Sequence, residues 1–381
     1  MRSTHQTTFK IFTIITMISL LSIESFRFSN TVLAAKSPTT FPDLACNALF
    51  AKFSMDGNSV VTTWRTPASD PAEMRLWNIQ TDKVKLIQTF DGELNSFIGV
   101  PNFSPDGKFL LVGYNSKAIL WNIETGEQVY TFERDNSNST DVTDAFFSSD
   151  GLYIITSGSE GVNLWETKSG KKLYHFSAKR SLLNAQISAD DKYLMLTEVD
   201  GGVTLWSVKN ENKIYTFTSA FNSIFSTDSN WIITTGYDGL NIQTISEPNQ
   251  IINLDTKANW RTLDVSFDNK YLLTVDYTLE HLSIWNIATR SQIKTFEGKG
   301  IEGKFFPEDD AILLSNVHDE DTTKLEVWDI ESHSYTKKIS DSTGLGDIYD
   351  ISRDGNTMLG FFDSKVQLRN LKTGKKIFDI C

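Results

Sequence analysis

The stretch His318-Asp319-Glu320-Asp321 groups four side chains that are able to ligate a metal ion. Carboxylate oxygens suit hard cations such as calcium, and the imidazole nitrogen suits zinc. Adjacent ligands in one loop rarely converge on a single ion, however, and the sequence holds no D-x-[DN]-x-[DN]-G calcium loop. We therefore expect no metal site.

Motifs for covalent or cofactor chemistry are also absent from the sequence. There is no G-x-S-x-G element, which would present a nucleophilic serine on a sharp turn. There is no C-x-x-C-H motif for haem attachment either. We therefore expect no catalytic residue, no cofactor and no enzyme activity.

A second group of residues combines aromatic rings with carboxylates and suits recognition. Aromatic side chains supply contact area, while carboxylates select a cationic partner. Each member lies at or just after the end of a short apolar run. The group consists of Trp64, Tyr114, Glu198, Tyr237, Asp276, Tyr277, His318, Phe362 and Asp363. Whether these residues meet depends on the elements that carry the runs.

Those elements repeat along the chain, as the spacing of six tryptophans indicates. They are Trp77, Trp121, Trp165, Trp206, Trp285 and Trp328, with gaps of 44, 44, 41, 79 and 43 residues. The gap of 79 spans two periods, and its missing member falls at Gln243. A last copy carries Arg369 in place of tryptophan. Repetition at this period is typical of propellers and solenoids, and the copies number eight.

Each copy has the same internal order of turns and apolar runs. An acidic turn such as FSPDGK (103–108) or FSSDGL (147–152) precedes a run such as FLLVG or YIITS. The run holding the tryptophan follows, then a polar turn and a final alternating run. Runs of 4 to 7 residues rich in Ile, Val, Phe, Tyr and Thr are strand signals. Four strands per copy predict an all-β fold, a single β-propeller of eight four-stranded blades, with seven blades as the alternative.

The copies resemble WD40 repeats, since ILWNIETG (119–126) and LEVWDIESH (325–333) carry the Trp-Asp/Asn dipeptide that ends the third strand. The resemblance covers about residues 44 to 380. It implies that the six tryptophans are structural and lie between blades. The turns IETGE and LKTGK also resemble those of quinoprotein-like eight-bladed dehydrogenases. Those enzymes place a docking tryptophan a few residues later, where this chain has Val129-Tyr130 and Ile377-Phe378.

In a WD40-like blade the monotonous turns share one face, and the connections that differ between copies share the other. The differing segments are 66–73, 134–141, 276–281 and 318–323. Variable loops on a rigid frame are the usual place for recognition. We therefore expect an interaction scaffold whose channel mouth, formed by the aromatic and acidic residues above, binds a basic protein or peptide. Three alternatives remain: an ordinary solvated acidic surface, an enzyme such as a quinoprotein-like dehydrogenase or a hydrolase, and a propeller that binds a sugar or another small molecule.

The overall charge disfavours nucleic acid as a partner. The formal net charge is −12, and no run of Lys or Arg exceeds two residues. A negative surface repels phosphate backbones.

The N-terminus has a different composition from the repeats. Arg2 and Lys10 precede the apolar run 11–23, and small residues at Ala34 and Ala35 offer a cleavage site. The run is too short to span a bilayer comfortably. This pattern predicts a secretory signal over 1–35, an exported propeller over 36–381 and no stable membrane span after cleavage. Anchoring in a membrane through 11–23 is the alternative.

The only two cysteines, Cys46 and Cys381, lie at the two ends of the predicted propeller. Blades 1 and 8 would each come from contiguous sequence, so no shared strand would latch the ring. An exported protein meets oxidising conditions. We therefore predict a Cys46–Cys381 disulfide, with two unpaired thiols as the alternative.

Overall fold

The computed structural model consists of eight four-stranded antiparallel sheets. It describes residues 48–64, 73–80, 84–91, 100–114, 117–133, 142–255, 260–276, 281–297, 302–306, 311–319, 322–332, 334–340, 345–362, 365–371 and 373–380. Each sheet is one blade, formed from four consecutive strands. The predicted all-β propeller of eight blades is confirmed, and the seven-blade alternative is wrong.

The first four blades hold sixteen strands. Blade 1 holds β1 (Ala48–Phe53), β2 (Ser59–Trp64), β3 (Glu73–Asn78) and β4 (Lys85–Asp91). Blade 2 holds β5 (Asn102–Phe103), β6 (Phe109–Tyr114), β7 (Lys117–Asn122) and β8 (Gln128–Glu133). Blade 3 holds β9 (Val142–Phe147), β10 (Tyr153–Gly158), β11 (Gly161–Glu166) and β12 (Lys172–Ser177). Blade 4 holds β13 (Leu182–Ile187), β14 (Tyr193–Glu198), β15 (Gly202–Ser207) and β16 (Asn212–Thr218).

The other four blades hold the remaining strands. Blade 5 holds β17 (Ala220–Phe225), β18 (Trp231–Gly236), β19 (Gly239–Thr244) and β20 (Ile251–Asp255). Blade 6 holds β21 (Trp260–Val265), β22 (Tyr271–Asp276), β23 (His281–Asn286) and β24 (Ser291–Glu297). Blade 7 holds β25 (Glu302–Phe305), β26 (Ala311–Asp319), β27 (Thr322–Asp329) and β28 (Ser334–Ser340). Blade 8 holds β29 (Leu345–Ile351), β30 (Thr357–Phe362), β31 (Lys365–Asn370) and β32 (Lys376–Asp379).

The first strand of each blade lies innermost, as contacts between first strands of neighbouring blades indicate, for example β5 with β9 and β17 with β21. The ring closes where β1 packs against β29. There the Phe53 N–H donates to Asp350 Oδ2 at 3.0 Å. Blades 1 and 8 are each contiguous in sequence, so packing and side-chain hydrogen bonds join the ends of the ring. We call the boundary between blades 8 and 1 the closing seam.

The hydrophobic core is divided into eight clusters, one between each pair of neighbouring blades. In several of them a phenylalanine of the fourth strand packs against the tryptophan of the next blade. The ring centroids lie 5.6 Å apart for Phe90 and Trp121 and 5.2 Å apart for Phe132 and Trp165. A flat sheet cannot cover its own two apolar faces, so each blade depends on both neighbours.

Five of the six marker tryptophans are buried and Trp206 is half-buried. In the two copies that lack tryptophan, other side chains take its place. Gln243 is buried in blade 5. In blade 8 the Arg369 guanidinium lies 4.3 Å from the centroid of the Phe362 ring and its Nε donates to Gln367 Oε1. The positions therefore stay structural even where the residue type changes.

The acidic turns share one hydrogen-bond pattern, shown by blade 2. The Ser104 hydroxyl donates to Asp106 Oδ1 at 2.7 Å and accepts the Phe109 N–H at 2.9 Å. Asp106 Oδ1 also accepts the Lys108 N–H, and Gly107 has a φ of 71°. The same serine and aspartate pair in seven blades. These turns define one side of the disc, the turn face: 54–58, 104–108, 148–152, 188–192, 226–230, 266–270 and 352–356.

The opposite side, the loop face, carries the turns between second and third strands and the connections between blades. Much of 66–73, 134–141 and 276–281 lies outside the described residues. The loop expected at 318–323 is shorter than predicted. β26 continues to Asp319, which pairs with Thr322 at the start of β27. His318 is therefore part of an extended hairpin.

Candidate functional site

Three neighbouring turns of the loop face belong to blades 3, 4 and 5. Residues 159–160, 199–201 and 237–238 join the second and third strands of blades 3, 4 and 5. Each turn exposes one carboxylate, from Glu160, Asp200 and Asp238 respectively. Because the turns are homologous, the three carboxylates form an arc around the channel mouth.

The connection between blades 4 and 5 is a single residue, Ser219, between β16 and β17. Ser219 has a φ of 75°, and its carbonyl accepts the Tyr237 N–H at 2.9 Å. A Cβ at Gly236 would lie 1.7 Å from that carbonyl oxygen, so only glycine fits there. A connection this short leaves the strand ends beside it uncovered.

An apolar surface is exposed at this place. The Phe221 and Tyr237 rings lie 4.2 Å apart, edge to face. Tyr237 is 56% exposed, and Leu183 and Val199 are each 41% exposed. We call Leu183, Val199, Phe221 and Tyr237 the blade 4–5 patch. An exposed aromatic and aliphatic group with a polar rim is typical of an interaction site.

The patch is held in place by rigid neighbours. Gly201 has a φ of 84°, and a Cβ there would come within 2.9 Å of Phe221 Cε1. Glu198 Oε1 accepts the Lys179 N–H at 3.0 Å, which ties down the chain entering blade 4. Arg180 Nε donates to Asp200 Oδ2 at 3.0 Å on the rim. The patch therefore needs little ordering when a partner binds.

The structure changes the role expected for three predicted binding residues. Glu198, Asp276 and Phe362 are 6%, 2% and 1% exposed. They lie at the ends of second strands, as predicted, but their side chains are buried in the packed ring. A partner cannot reach them without rearrangement. On the described part of this face, the turns of blades 3, 4 and 5 supply exposed carboxylates. Among the predicted binding residues whose side chains the structure describes, Tyr237 lies on the surface.

The other predicted residues are less fully described. Trp64, Tyr114 and His318 lie in β2, β6 and β26, and the structure describes their backbone alone. Tyr277, Asp363, Cys46 and Cys381 lie outside the described residues. A role for these residues in binding, or in a disulfide, stays a prediction.

The structure also shows polar contacts between innermost strands inside the channel, which the sequence analysis did not predict. The side chain two residues before the turn serine reaches the backbone of the next blade in four places. Asn102 Nδ2 donates to the Ala145 carbonyl, Gln186 Nε2 donates to the Ser223 carbonyl, Asp264 Oδ2 accepts the Phe305 N–H, and Asp350 Oδ2 accepts the Phe53 N–H. These bonds satisfy strand edges that no other strand covers. The sequence signal was the recurrent polar residue at that position.

Burial in the channel shifts the pKa of several ionisable groups. Burial lowers the pKa of Lys52 below its ordinary value, against the opposing effect of Asp350 and Asp144. Lys52 Nζ donates to Asn102 Oδ1 at 2.6 Å. Burial raises the pKa of the Asp144 and Asp264 carboxyls. Within the described part of the chain, no three His, Cys, Asp or Glu side chains are placed to hold a metal ion. The channel contacts are best explained as joints between blades.

Comparison with known proteins finds a family match within one repeat. Residues 84–122 match the model of the WD domain, G-beta repeat. This stretch includes the outermost strand of blade 1, β4, and the first three strands of blade 2. No curated protein matches the chain. No helix among the described residues is long and apolar enough to cross a membrane. The chain thus carries a WD40 repeat at 84–122 and repeats that strand arrangement around an eight-bladed β-propeller.

Proposed function

We propose that this protein is an exported, non-catalytic interaction scaffold that binds a basic protein or peptide through its loop face. A WD40 propeller is in general suited to binding proteins. The observation that carries the proposal is the blade 4–5 patch, an exposed apolar surface bordered by carboxylates. It lies on the face where the repeats differ most.

Charge supports a basic partner. Glu160, Asp200 and Asp238 form an arc of exposed carboxylates beside the patch. Asp200 is already paired with Arg180, both side chains being more than half exposed. Exposed pairs of this kind contribute little and exchange readily. The formal net charge of −12 adds long-range attraction for cationic partners.

The anchor is expected to be Tyr237. Aromatic residues in rigid surroundings often dominate the binding energy of an interface. The edge-to-face contact with Phe221 and the fixed backbone at Ser219 hold the ring in one orientation. A partner would place an apolar side chain on this patch and a Lys or Arg beside the acidic arc.

Co-purification tests the proposal most directly. Residues 36–381 are used as bait against extract from the source cells, and bound material is analysed for both protein and small molecules. A specific protein partner is expected. A tightly bound cofactor or sugar, with no protein, would instead favour the enzyme or small-molecule alternatives.

Variants then locate the site. Tyr237→Ala should weaken binding of the partner by about 10- to 100-fold. The double variant with Asp200→Lys and Asp238→Lys should weaken binding most at low salt, where electrostatic screening is least. Leu173→Ala is the matched control, since Leu173 is an exposed aliphatic residue of β12, the outermost strand of blade 3. Equal binding by all these proteins would place the site elsewhere.

Export rests on the N-terminal sequence. We propose that residues 1–35 are removed and that the propeller acts in the periplasm or outside the cell. N-terminal sequencing of the mature protein should begin near Lys36. An intact N-terminus in a membrane fraction would support anchoring through 11–23.

A further inference from the structure

The turn face has a hollow at the closing seam. A cavity of about 530 Å³ lies there, with Met55, Ile79, Leu368, Ile377 and Phe378 among its lining residues. Both blade 8 and blade 1 contribute to it. Polar residues such as Asn58 and Thr357 complete the lining. The hollow is open to solvent and is therefore able to accept a side chain from outside.

Cross-blade contacts that join the turns at some other seams are missing at the closing seam. In blades 4, 5 and 6, Asp191, Ser229 and Asn269 occupy the turn-glycine position and bond the turn of the preceding blade. Blade 1 has Gly57 instead, as blades 2, 3 and 8 have glycine, and a Cβ at Gly57 would meet nothing within 4 Å. Phe378 occupies the position in blade 8 that Tyr174 occupies in blade 3. The Tyr174 hydroxyl donates to the Glu211 carbonyl of the next blade, whereas Phe378 has no hydroxyl to form such a bond.

The same face carries a projecting aromatic ring. Phe267, in the turn of blade 6, is 74% exposed. Its backbone is fixed, since its carbonyl accepts the Thr227 hydroxyl at 2.8 Å. Asn269 Oδ1 also accepts the Thr227 N–H at 2.9 Å. A largely exposed phenylalanine on so rigid a turn is a suitable anchor for association.

Phe267 and the hollow are placed so that two copies of the disc can satisfy both at once. They lie on one face, two and a half blades apart along the ring. When two such faces meet coaxially, a two-fold axis in the plane between them brings each Phe267 over the partner's hollow. A two-fold contact of this kind closes at two subunits and cannot propagate into a filament.

Two further features agree with this arrangement. The same axis crosses blade 3, so Leu152, which is 60% exposed, comes next to its own copy. Arg353 is among the residues that line the hollow, and Asp268, which already pairs with Lys270 Nζ at 2.8 Å, directly follows Phe267. Insertion of the ring therefore brings an Arg353 guanidinium near the partner's Asp268 carboxylate. Apolar contact and opposite charge coincide at both ends of the interface.

We propose that the protein forms a two-fold dimer through its turn faces, with Phe267 of each copy inserted in the closing-seam hollow of the other. In this dimer Met55, Leu152 and Phe267, which are 47%, 60% and 74% exposed in the free chain, would all be covered. Both loop faces then point outwards. A dimer with two outward binding faces gains avidity for a repeated partner.

Sedimentation velocity over a wide concentration range tests the dimer. The wild-type chain should show a monomer–dimer equilibrium. Phe267→Asp should weaken dimerisation at least about 100-fold, as expected for loss of an aromatic anchor. Met55→Arg, at the hollow, should weaken it as well. Tyr237→Asp, on the loop face, is the matched control and should leave dimerisation unchanged while weakening the proposed partner.

A cysteine at Leu152 gives an independent geometric test. Leu152→Cys should form an intermolecular disulfide under mild oxidation, whereas Leu173→Cys on the rim should not. Circular dichroism and the melting temperature check that each variant is folded. A wild-type chain that stays monomeric, or a dimer that Phe267→Asp leaves intact, would overturn the proposal.

Discussion

Asp191 Oδ1 accepts the backbone N–H of Ser149 at 2.7 Å, joining the turn of blade 4 to the turn of blade 3. Its other oxygen, Oδ2, accepts the Asp150 N–H at 2.9 Å. Asp191 has a φ of 59°, in the region where glycine stands in the turns of blades 1, 2, 3 and 8. Asp191 therefore adopts a backbone conformation that is unfavourable for a non-glycine residue, and its carboxylate joins blades 3 and 4 through two hydrogen bonds.

Replacing Asp191 with glycine separates these two effects. Asp191→Gly keeps the turn conformation but removes both cross-blade bonds. Hydrogen bonds to a charged group contribute about 1.5–3 kcal/mol to the free energy of unfolding. Glycine adopts the left-handed backbone conformation more easily than aspartate, so the substitution recovers part of this loss. We expect a net loss of about 1 kcal/mol in the free energy of unfolding, measured with urea. A variant as stable as wild type would show that backbone strain cancels the bonds.

The tryptophans between blades should dominate stability. Trp121 and Trp165 are 9% and 8% exposed and pack against Phe90 and Phe132 of the preceding blades. Replacing either tryptophan with alanine should lower the free energy of unfolding by about 3–5 kcal/mol, the usual range for a buried aromatic side chain. Tyr237→Ala, at an exposed ring, is the control and should change it little. Harmless removal of Trp121 would contradict the packing described above.

The indole N–H groups offer a matched pair of substitutions. Trp77 Nε1 donates to Thr62 Oγ1 at 2.8 Å, while Trp121 Nε1 has no partner because Val112 stands where Thr62 does in blade 1. Thr62→Val should cost about 1–3 kcal/mol by leaving a buried donor unpaired. Val112→Thr should add about 0.5–1.5 kcal/mol by supplying an acceptor. Destabilisation by both changes would mean that desolvation of the new hydroxyl outweighs its bond.

Acid sensitivity should arise partly in the turns. Hydrogen bonds from the Ser352 hydroxyl and from Asn356 hold the pKa of Asp354 below its ordinary value. A carboxyl with a lowered pKa in the folded state adds stability above its unfolded pKa, and this is lost as pH falls through the folded pKa. Asp354→Asn should therefore flatten the decline in melting temperature below about pH 4. Parallel curves for both proteins would rule out this contribution.

The predicted Cys46–Cys381 bridge is testable chemically. Ile380 is buried against Ala51 and Phe53 at the closing seam, so the chain's two described ends lie in one cluster. Thiol titration of the unfolded, unreduced mature protein should find no free thiol. The chain-entropy model gives about 5–6 kcal/mol as the upper limit of its stabilisation. Two titratable thiols would mean that packing alone closes the ring.

The sequence by itself determined the blade count and strand order, because both depend on local signals. Turn residues, short β-rich runs and a tryptophan at a regular interval recur within each copy. Each signal acts over a few residues, so it can be read without knowing the neighbouring blades. Even the copies at Gln243 and Arg369 were recognisable from the flanking turns.

Only the tertiary structure decided which side chains a partner can reach. Glu198, Asp276 and Phe362 stand at the predicted strand ends yet are buried, while Val199 became part of an exposed patch through the one-residue connection at Ser219. Accessibility depends on how adjacent blades pack and how long their connections are. Contacts such as Asp191 with Ser149 join residues 42 positions apart in different blades. A repeat pattern specifies each blade, but the surface arises from contacts between blades, which the period alone does not encode.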